Sequence, residues 1–358
     1  MRESTNFSDN RIDLRKRLLA TACGAVLTAL CAGMPAMADE NHPLVWLELG
    51  GEFTQLQNGQ EAYLPPFTLV APRLPFILQS PDNTEKASPV SWDGAAKISF
   101  QPAESGWVFS ATMRYGRNAR NAALSQRTAH HSSSQYFLRY EAYQNISAQN
   151  NSSHTIVDFT AGKDVGLGVI GSGGNSIIAF GLRYAQFDSR SKSEIQYQPT
   201  NNDLTFHLFY GSFDAARKFT GLGPSLSWDA SAGLIGEPAA GDITLDWGLN
   251  GAVLFGRQKT NIHHQTTNLA EHYPYEGIGF VKQPIYQHSG APPRNKQVLV
   301  PDIGGFAGVS WRYSNAKISA GYRADFFFGA MDGGIDAAHR ENVGFYGPFA
   351  TISVGIGG

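Results

Sequence analysis

The sequence predicts an all-β fold, a transmembrane antiparallel β-barrel of 10–12 strands with long external loops. Three observations predict it. From Asp242 to Gly256, 15 residues alternate almost without error: Ile243, Leu245, Trp247, Leu249, Gly251, Val253 and Phe255 share one parity, and Thr244, Asp246, Gly248, Asn250, Ala252, Leu254 and Gly256 the other. A globular strand averages about 5–6 residues, whereas a strand crossing a bilayer needs one apolar face toward lipid and one small or polar face toward a wet lumen. The same alternation recurs along the chain, behind an export signal. Finally, the connections between recurrences alternate long and short, as in bacterial barrels with both termini periplasmic.

The export signal comes first. Arg15, Lys16 and Arg17 form a basic segment, Leu18–Met34 an apolar stretch, and Ala36-Met37-Ala38 a small-x-small cleavage site before Asp39. Residues 1–38 are therefore read as a cleaved signal peptide and residues 39–358 as a single barrel domain. A lipoprotein leader is the rival reading, but Leu30 directly precedes Cys31, and Ala20 stands where Cys23 would need a Leu. The chain has only these 2 cysteines, so the processed protein carries no disulfide framework. Losing Arg2, Arg11, Arg15, Lys16 and Arg17 from 28 basic residues, and Glu3, Asp9 and Asp13 from 30 acidic ones, leaves 23 and 27, a net charge of −4. That balance is too mild to point to nucleic acid. After cleavage no apolar run is long enough for a membrane helix, so any crossing must be made by strands.

Ten strands follow, over residues 44–56, 92–101, 106–117, 154–163, 176–187, 217–233, 241–257, 300–313, 316–328 and 345–357. In 106–117, Trp107, Phe109, Met113 and Tyr115 oppose Val108, Ser110, Thr112 and Arg114. In 176–187, Ile178, Phe180, Leu182 and Tyr184 oppose Ala179, Gly181, Arg183 and Ala185. Leu222, Leu226 and Trp228 oppose Gly223, Ser227 and Asp229; Val309, Trp311 and Tyr313 oppose Gly308, Ser310 and Arg312. Ile318, Tyr322, Phe326 and Phe328 oppose Lys317, Arg323 and Asp325, and Ile352, Val354 and Ile356 oppose Thr351, Ser353 and Gly355. Residues 57–91, 118–153, 188–216 and 258–299 are the long connections, 102–105, 234–240 and 314–315 the short ones, 164–175 an intermediate one and 329–344 a medium one. Segments 135–146 and 203–211 are also strand-like, which keeps twelve strands open. Pro65, Pro66, Pro72, Pro75, Pro81 and Pro89 make the first connection a loop. Its apolar run, Phe67 to Leu78, needs burial in the lumen, over the mouth, or among the other loops.

Charge segregates with parity. Arg114, Arg183, Arg312, Arg323, Asp229, Asp246 and Asp325 all fall on the small-residue face. On the lipid face an Arg or Lys near midplane costs about 2–4 kcal/mol, so this placement is what a barrel demands. Trp107, Tyr115, Tyr184, Phe255, Tyr313 and Phe328 lie toward strand ends on the other face, as interfacial girdles require. Arg114, Arg183, Arg312 and Arg323, against Asp158, Asp246 and Asp325, are the candidate pore-lining residues. Unpaired arginines at the narrowest point would favour anions.

Three other constellations carry less. Gly166-Leu167-Gly168-Val169-Ile170-Gly171 matches G-x-G-x-x-G, with Asp188 some twenty residues on, but a period-two strand follows where a dinucleotide site needs a helix. His263, His264, His272 and His288 share a connection with Glu271 and Glu276 without the tight spacing of a metal site. No Ser, His and carboxylate are arranged as a hydrolase needs, although His207 stands near a hairpin top. No catalytic residue, metal ligand or cofactor site is expected.

Several motifs resemble the Legionella-type pore-forming major outer-membrane protein family: Asp158-Phe159-Thr160-Ala161-Gly162, Gly181-Leu182-Arg183-Tyr184, Phe219-Thr220-Gly221-Leu222-Gly223-Pro224, Leu254-Phe255-Gly256-Arg257, Ala320-Gly321-Tyr322-Arg323-Ala324-Asp325 and Phe345-Tyr346-Gly347-Pro348-Phe349. The likeness runs from about Trp107 to the C-terminus. It implies a pore-forming barrel, monomeric or oligomeric, in a Gram-negative outer membrane, with no enzymatic residues to carry over. The implied partners are outer-membrane lipid and lipopolysaccharide, the barrel-assembly machinery, and small ions or solutes. One departure is the end, Ile356-Gly357-Gly358, where barrels commonly carry an aromatic residue. Ten strands make a small barrel whose interior side chains can fill, but Gly, Ala and Ser on the lumenal parity argue for open space. Two alternatives to passive diffusion remain: a closed barrel acting as surface adhesin or receptor through its loops, and a barrel hydrolase.

Overall fold

The alternation closes into a ring. The computed structural model describes residues 44–58, 90–102, 105–131, 139–165, 175–200, 205–237, 241–272, 281–289 and 292–356. Within them lie β1 (Leu44–Asn58), β2 (Val90–Gln101), β3 (Trp107–His131), β4 (Arg139–Asp164), β5 (Asn175–Thr200), β6 (Thr205–Glu237), β7 (Gly241–His272), β8 (Val281–Ser289), β9 (Arg294–Tyr313), β10 (Ala316–Asp332) and β11 (Arg340–Ile356). Each strand from β1 to β7 pairs antiparallel with the next; β7 pairs with β9, β9 with β10, β10 with β11, and β11 with β1. The circuit has ten strands and no open edge, the condition for a sheet in lipid. The signal segment, the Pro-rich connection, the G-x-G-x-x-G stretch and Gly357-Gly358 lie outside the described residues.

The eleventh strand does not enlarge the ring. β8 pairs with β7 over Val281–Ser289 against His272–Gln265, and β9 takes up the same edge from Thr260 downward. The two are one interrupted strand. Likewise 135–146 and 203–211 supply the starts of β4 and β6 rather than two further barrel strands, so the twelve-strand alternative is corrected.

Loop lengths are corrected as well. Much of 118–153, 188–216 and 258–299, expected as loop, is strand: Asn118–His131 pairs with Arg139–Ser152, and Thr205–Lys218 with Lys259–His272. These stretches are rich in Ser, Asn, Gln and charge, and they pair in regular antiparallel register. At about 3.3 Å per residue, the 17 residues of β7 beyond Phe255 add roughly 55 Å of strand. One side of the barrel therefore rises far above β1, β2, β10 and β11.

The membrane belt lies below that wall. Trp92, Phe109, Phe159, Phe180, Leu226, Phe255, Ile303, Trp311, Tyr322 and Ile352 are exposed, while their chain neighbours point inward. A soluble fold would bury such a band; here it meets lipid. At the short-turn end, Trp228 Nε1 donates to the buried Ser176 hydroxyl at 2.9 Å. The β9–β10 connection is a two-residue turn, with Ser314 at φ 51°. β4 and β5 are antiparallel neighbours, which excludes the strand–helix–strand unit a dinucleotide fingerprint requires.

Candidate functional site

Lumenal side chains organise into two layers. The lower layer, nearer the short turns, is ionic. Arg183 on β5 donates from Nε to Asp158 on β4 at 2.6 Å, and from Nη1 to Asp302 on β9 at 2.6 Å and Asn250 on β7 at 2.8 Å. Arg114 on β3 donates to Asp325 on β10 at 2.5 Å, although these strands stand nearly opposite in the ring. Arg323 donates to Glu52 on β1, its guanidinium 5.4 Å and 5.3 Å from the Phe306 and Phe349 ring centroids. Arg114, Arg183, Asp302 and Asp325 are all buried.

Glycine makes room for this belt. A Cβ on Gly304 would collide with the Asp325 carboxylate and the Asn250 amide. Even so, not every acceptor is satisfied. Asp302 Oδ2 and Asp325 Oδ1 are buried and receive no hydrogen bond among the described residues.

The belt contains five of the seven residues singled out in the sequence: Arg114, Asp158, Arg183, Arg323 and Asp325. The other two lie closer to the short-turn mouth. Asp246 pairs with Lys317 at 2.6 Å and accepts from Ser310 and Thr244. Arg312 stands 6.0 Å from the centroid of the Trp46 ring. Asn250 lies on the small-residue face read from the sequence, and Asp302 shares the parity of Gly308 and Ser310, but neither was singled out as pore-lining, nor was Glu52. Glu52 was traceable, because it shares parity with Trp46 and Glu48, opposite Leu49 and Phe53.

The second layer, immediately on the long-loop side, is apolar. Ile156, Ala185, Phe187, Phe219, Ala252, Leu254, Val300, Phe327, Ala330, Met331, Val343 and Phe345 form one buried cluster, with Leu56 and Val298 against it. Phe187 reaches Phe219 at 5.6 Å, Phe345 at 5.4 Å and Phe327 at 4.8 Å between ring centroids. β5 and β10 are four strands apart in a ring of ten, so this contact crosses the lumen. The expectation of open space from small lumenal residues is corrected at this level: aromatic rings fill the tube. A small cavity of about 30 Å³ lies beside the layer, lined by Leu56, His154, Phe187, Asp188, Met331 and Phe345, among others.

The histidines separate. His263 is outward and exposed; His264 is inward, 2.7 Å from Asp336. No group of three metal-ligating side chains occurs among the described residues. The side chains of His207, His272 and His288 are outside those described.

Sequence comparison places the chain. The family model described as Legionella pneumophila major outer membrane protein precursor matches residues 82–356. The chain belongs to this family. It is accordingly an outer-membrane protein, and its ring of lipid-facing strands is the fold by which it resides there. No curated protein matches the chain. Among solved structures, the transport unit of the autotransporter AIDA-I from Escherichia coli aligns over 91% of this chain and 93% of its own at 7% identity, TM-score 0.24. The toluene transporter TodX of P. putida aligns over 90% and 91% at 8% identity, TM-score 0.20. Similarity this low carries no functional argument.

Proposed function

We propose that this member of the family is a pore for ions or small solutes, and that the conformation described is its closed state. The ionic belt carries the reading. Buried ion pairs contribute little net stability compared with well-packed apolar groups of similar volume. A barrel needing only a filled interior can be filled by apolar side chains, whereas this one gathers three arginines and four carboxylates at one level. In a conduit, such groups set the field that permeating ions meet. The apolar layer beside them then serves as a constriction of the kind that gates by excluding water.

The belt also gives a sign. Arg114, Arg183 and Arg323 face Glu52, Asp158, Asp302 and Asp325, leaving one carboxylate in excess, and two acceptor oxygens have no donor among the described residues. Such a ring favours cations. Solute-driven swelling of liposomes holding the barrel tests the pore: uptake of small sugars or salts supports it, and no uptake by a heat-modifiable, folded barrel opposes it.

One observation favours a second reading. The lumen is blocked by side chains from most of its strands, and a permanently sealed barrel with a tall outer wall suits a surface adhesin or receptor. The swelling experiment separates the two.

A further inference from the structure

We infer that the β10–β11 hairpin tip is a stopper folded into the barrel mouth and latched there by Arg294, so that its release withdraws Ala330 and Met331 from the apolar layer and loosens the seal; this rests on the pore reading above. The chain conformation is the first ground. β10 pairs with β11 as far as Phe327–Val343 and resumes only at Met331–Glu341. The bulge sets three residues of β10 against one of β11, and its middle residue, Gly329, has φ 66°. In a regular strand neighbouring side chains point to opposite faces. Here Ala330, Met331, Asp332, Gly333 and Gly334 are consecutive and all buried. The bulge has turned the chain inward, where Ala330 and Met331 complete the apolar layer.

What holds the tip is the second ground. The Arg294 guanidinium donates to Asp332 Oδ2 at 2.7 Å, to the Gly334 carbonyl at 2.7 Å and to the Ile335 carbonyl at 2.8 Å. Gln258 donates to the Gly329 carbonyl at 2.7 Å, Arg217 to the Gly333 carbonyl at 3.3 Å, and His264 stands 2.7 Å from Asp336. These anchors sit on β6, β7 and β9. Two of those strands are not neighbours of β10, so the tip leans across the mouth. Asp332 Oδ1 also accepts from the N–H groups of Gly334 and His339, which makes the tip a preformed turn. Its own ladder pairs, Met331–Glu341 and Asp332–Arg340, hold the unit together, while toward β6 and β7 it is held by side chains and by burial of Ala330 and Met331 rather than by a ladder, so it can leave and return as a body.

The experiment uses the full chain, expressed with its leader and purified from outer membranes; the cysteines of the sequence, Cys23 and Cys31, both lie in that leader. Met331→Cys, buried in the apolar layer, reports release by its rate of labelling with a membrane-impermeant maleimide; swelling of liposomes reports flux. Arg294→Gln removes the fork, and one charge-assisted hydrogen bond is worth about a tenfold shift or more. The expected result is labelling at least about tenfold faster than in the parent, with faster uptake of small solutes. Asp332→Asn provides a second release variant should Arg294→Gln fail to assemble. Equal labelling in parent and variants overturns the latch and leaves the pore reading intact. Faster labelling with unchanged uptake in a conducting parent overturns the stopper alone. Faster labelling while neither protein takes up solute overturns the pore reading, and the stopper with it.

Discussion

Arg183 ties together more of the lumen than any other side chain described. Its guanidinium binds Asp158, Asp302 and Asn250, three groups from three other strands, and is itself buried. Removing one partner of a buried ion pair strands the rest, at about 3–5 kcal/mol. Arg183→Met is therefore expected to lower the barrel's urea midpoint strongly, whereas Arg183→Met with Asp302→Asn should recover part of the loss. Equal destabilisation by single and double variants would show that the pair is not coupled. The parity of Arg183 was legible, since a lipid-facing guanidinium is too costly. Its partners were not: alternation assigns a face, but which carboxylate lies across the lumen depends on strand count and stagger. Hence Arg323 pairs with Glu52, and Asp246 with Lys317, rather than within the set read from sequence.

At the scale of elements, β10 shows where pattern reading ends. Ile318 to Asp325 alternates cleanly because lipid imposes period two on one face. In Phe326-Phe327-Phe328 the period is unreadable, and there Phe327 turns into the lumen and the bulge begins. Gly329→Ala places a side chain at φ 66° and should cost about 1 kcal/mol, seen as faster proteolysis of the tip with the belt intact. The tip should also respond to acid. Burial alone would raise the Asp332 carboxyl, but hydrogen bonds from Arg294 and from the His339 and Gly334 N–H groups, with the Arg294 charge, hold it below the usual carboxylate range. Arg294, His339 and, across the ladder, Arg340 are the charged or titratable groups about it; Glu341 and Asp336 are nearby in the chain. A lowered folded value means the stabilisation is present above the unfolded carboxylate value and is lost as pH falls through the folded one. The protection of the amides of residues 329–340, exchange corrected for its intrinsic pH dependence, should hold from pH 7 to 5 and fall in stronger acid. A loss of protection already between pH 7 and 5 would contradict this. The upper halves of β3–β7 were illegible for a different reason: Ile146, Ile195, Phe213 and Ile262 do turn inward and are buried, but they are scattered among Ser, Asn, Gln and charged residues too densely for a period-two pattern to stand out.

For the whole molecule, the ten-strand circuit, its even count and its lipid face were all readable, because the bilayer permits only a closed ring and taxes every misplaced charge. The filling of the tube was not. Phe187, Phe219, Leu254, Phe327 and Phe345 come from five strands, and only the closed ring brings them together. If that layer is the barrier to flow, Phe327→Ala, near the tip, should raise solute flux several-fold while leaving heat-modifiable folding in place. Unchanged flux in a folded variant would locate the barrier elsewhere. The most direct measurement is single-channel recording of the purified chain in a planar bilayer under a potassium chloride gradient, with the Arg294→Gln variant beside it. Discrete openings, more frequent in the variant, with a reversal potential favouring potassium, are predicted. A folded barrel that stays silent in both forms would contradict a pore and leave a sealed, surface-acting barrel in its place.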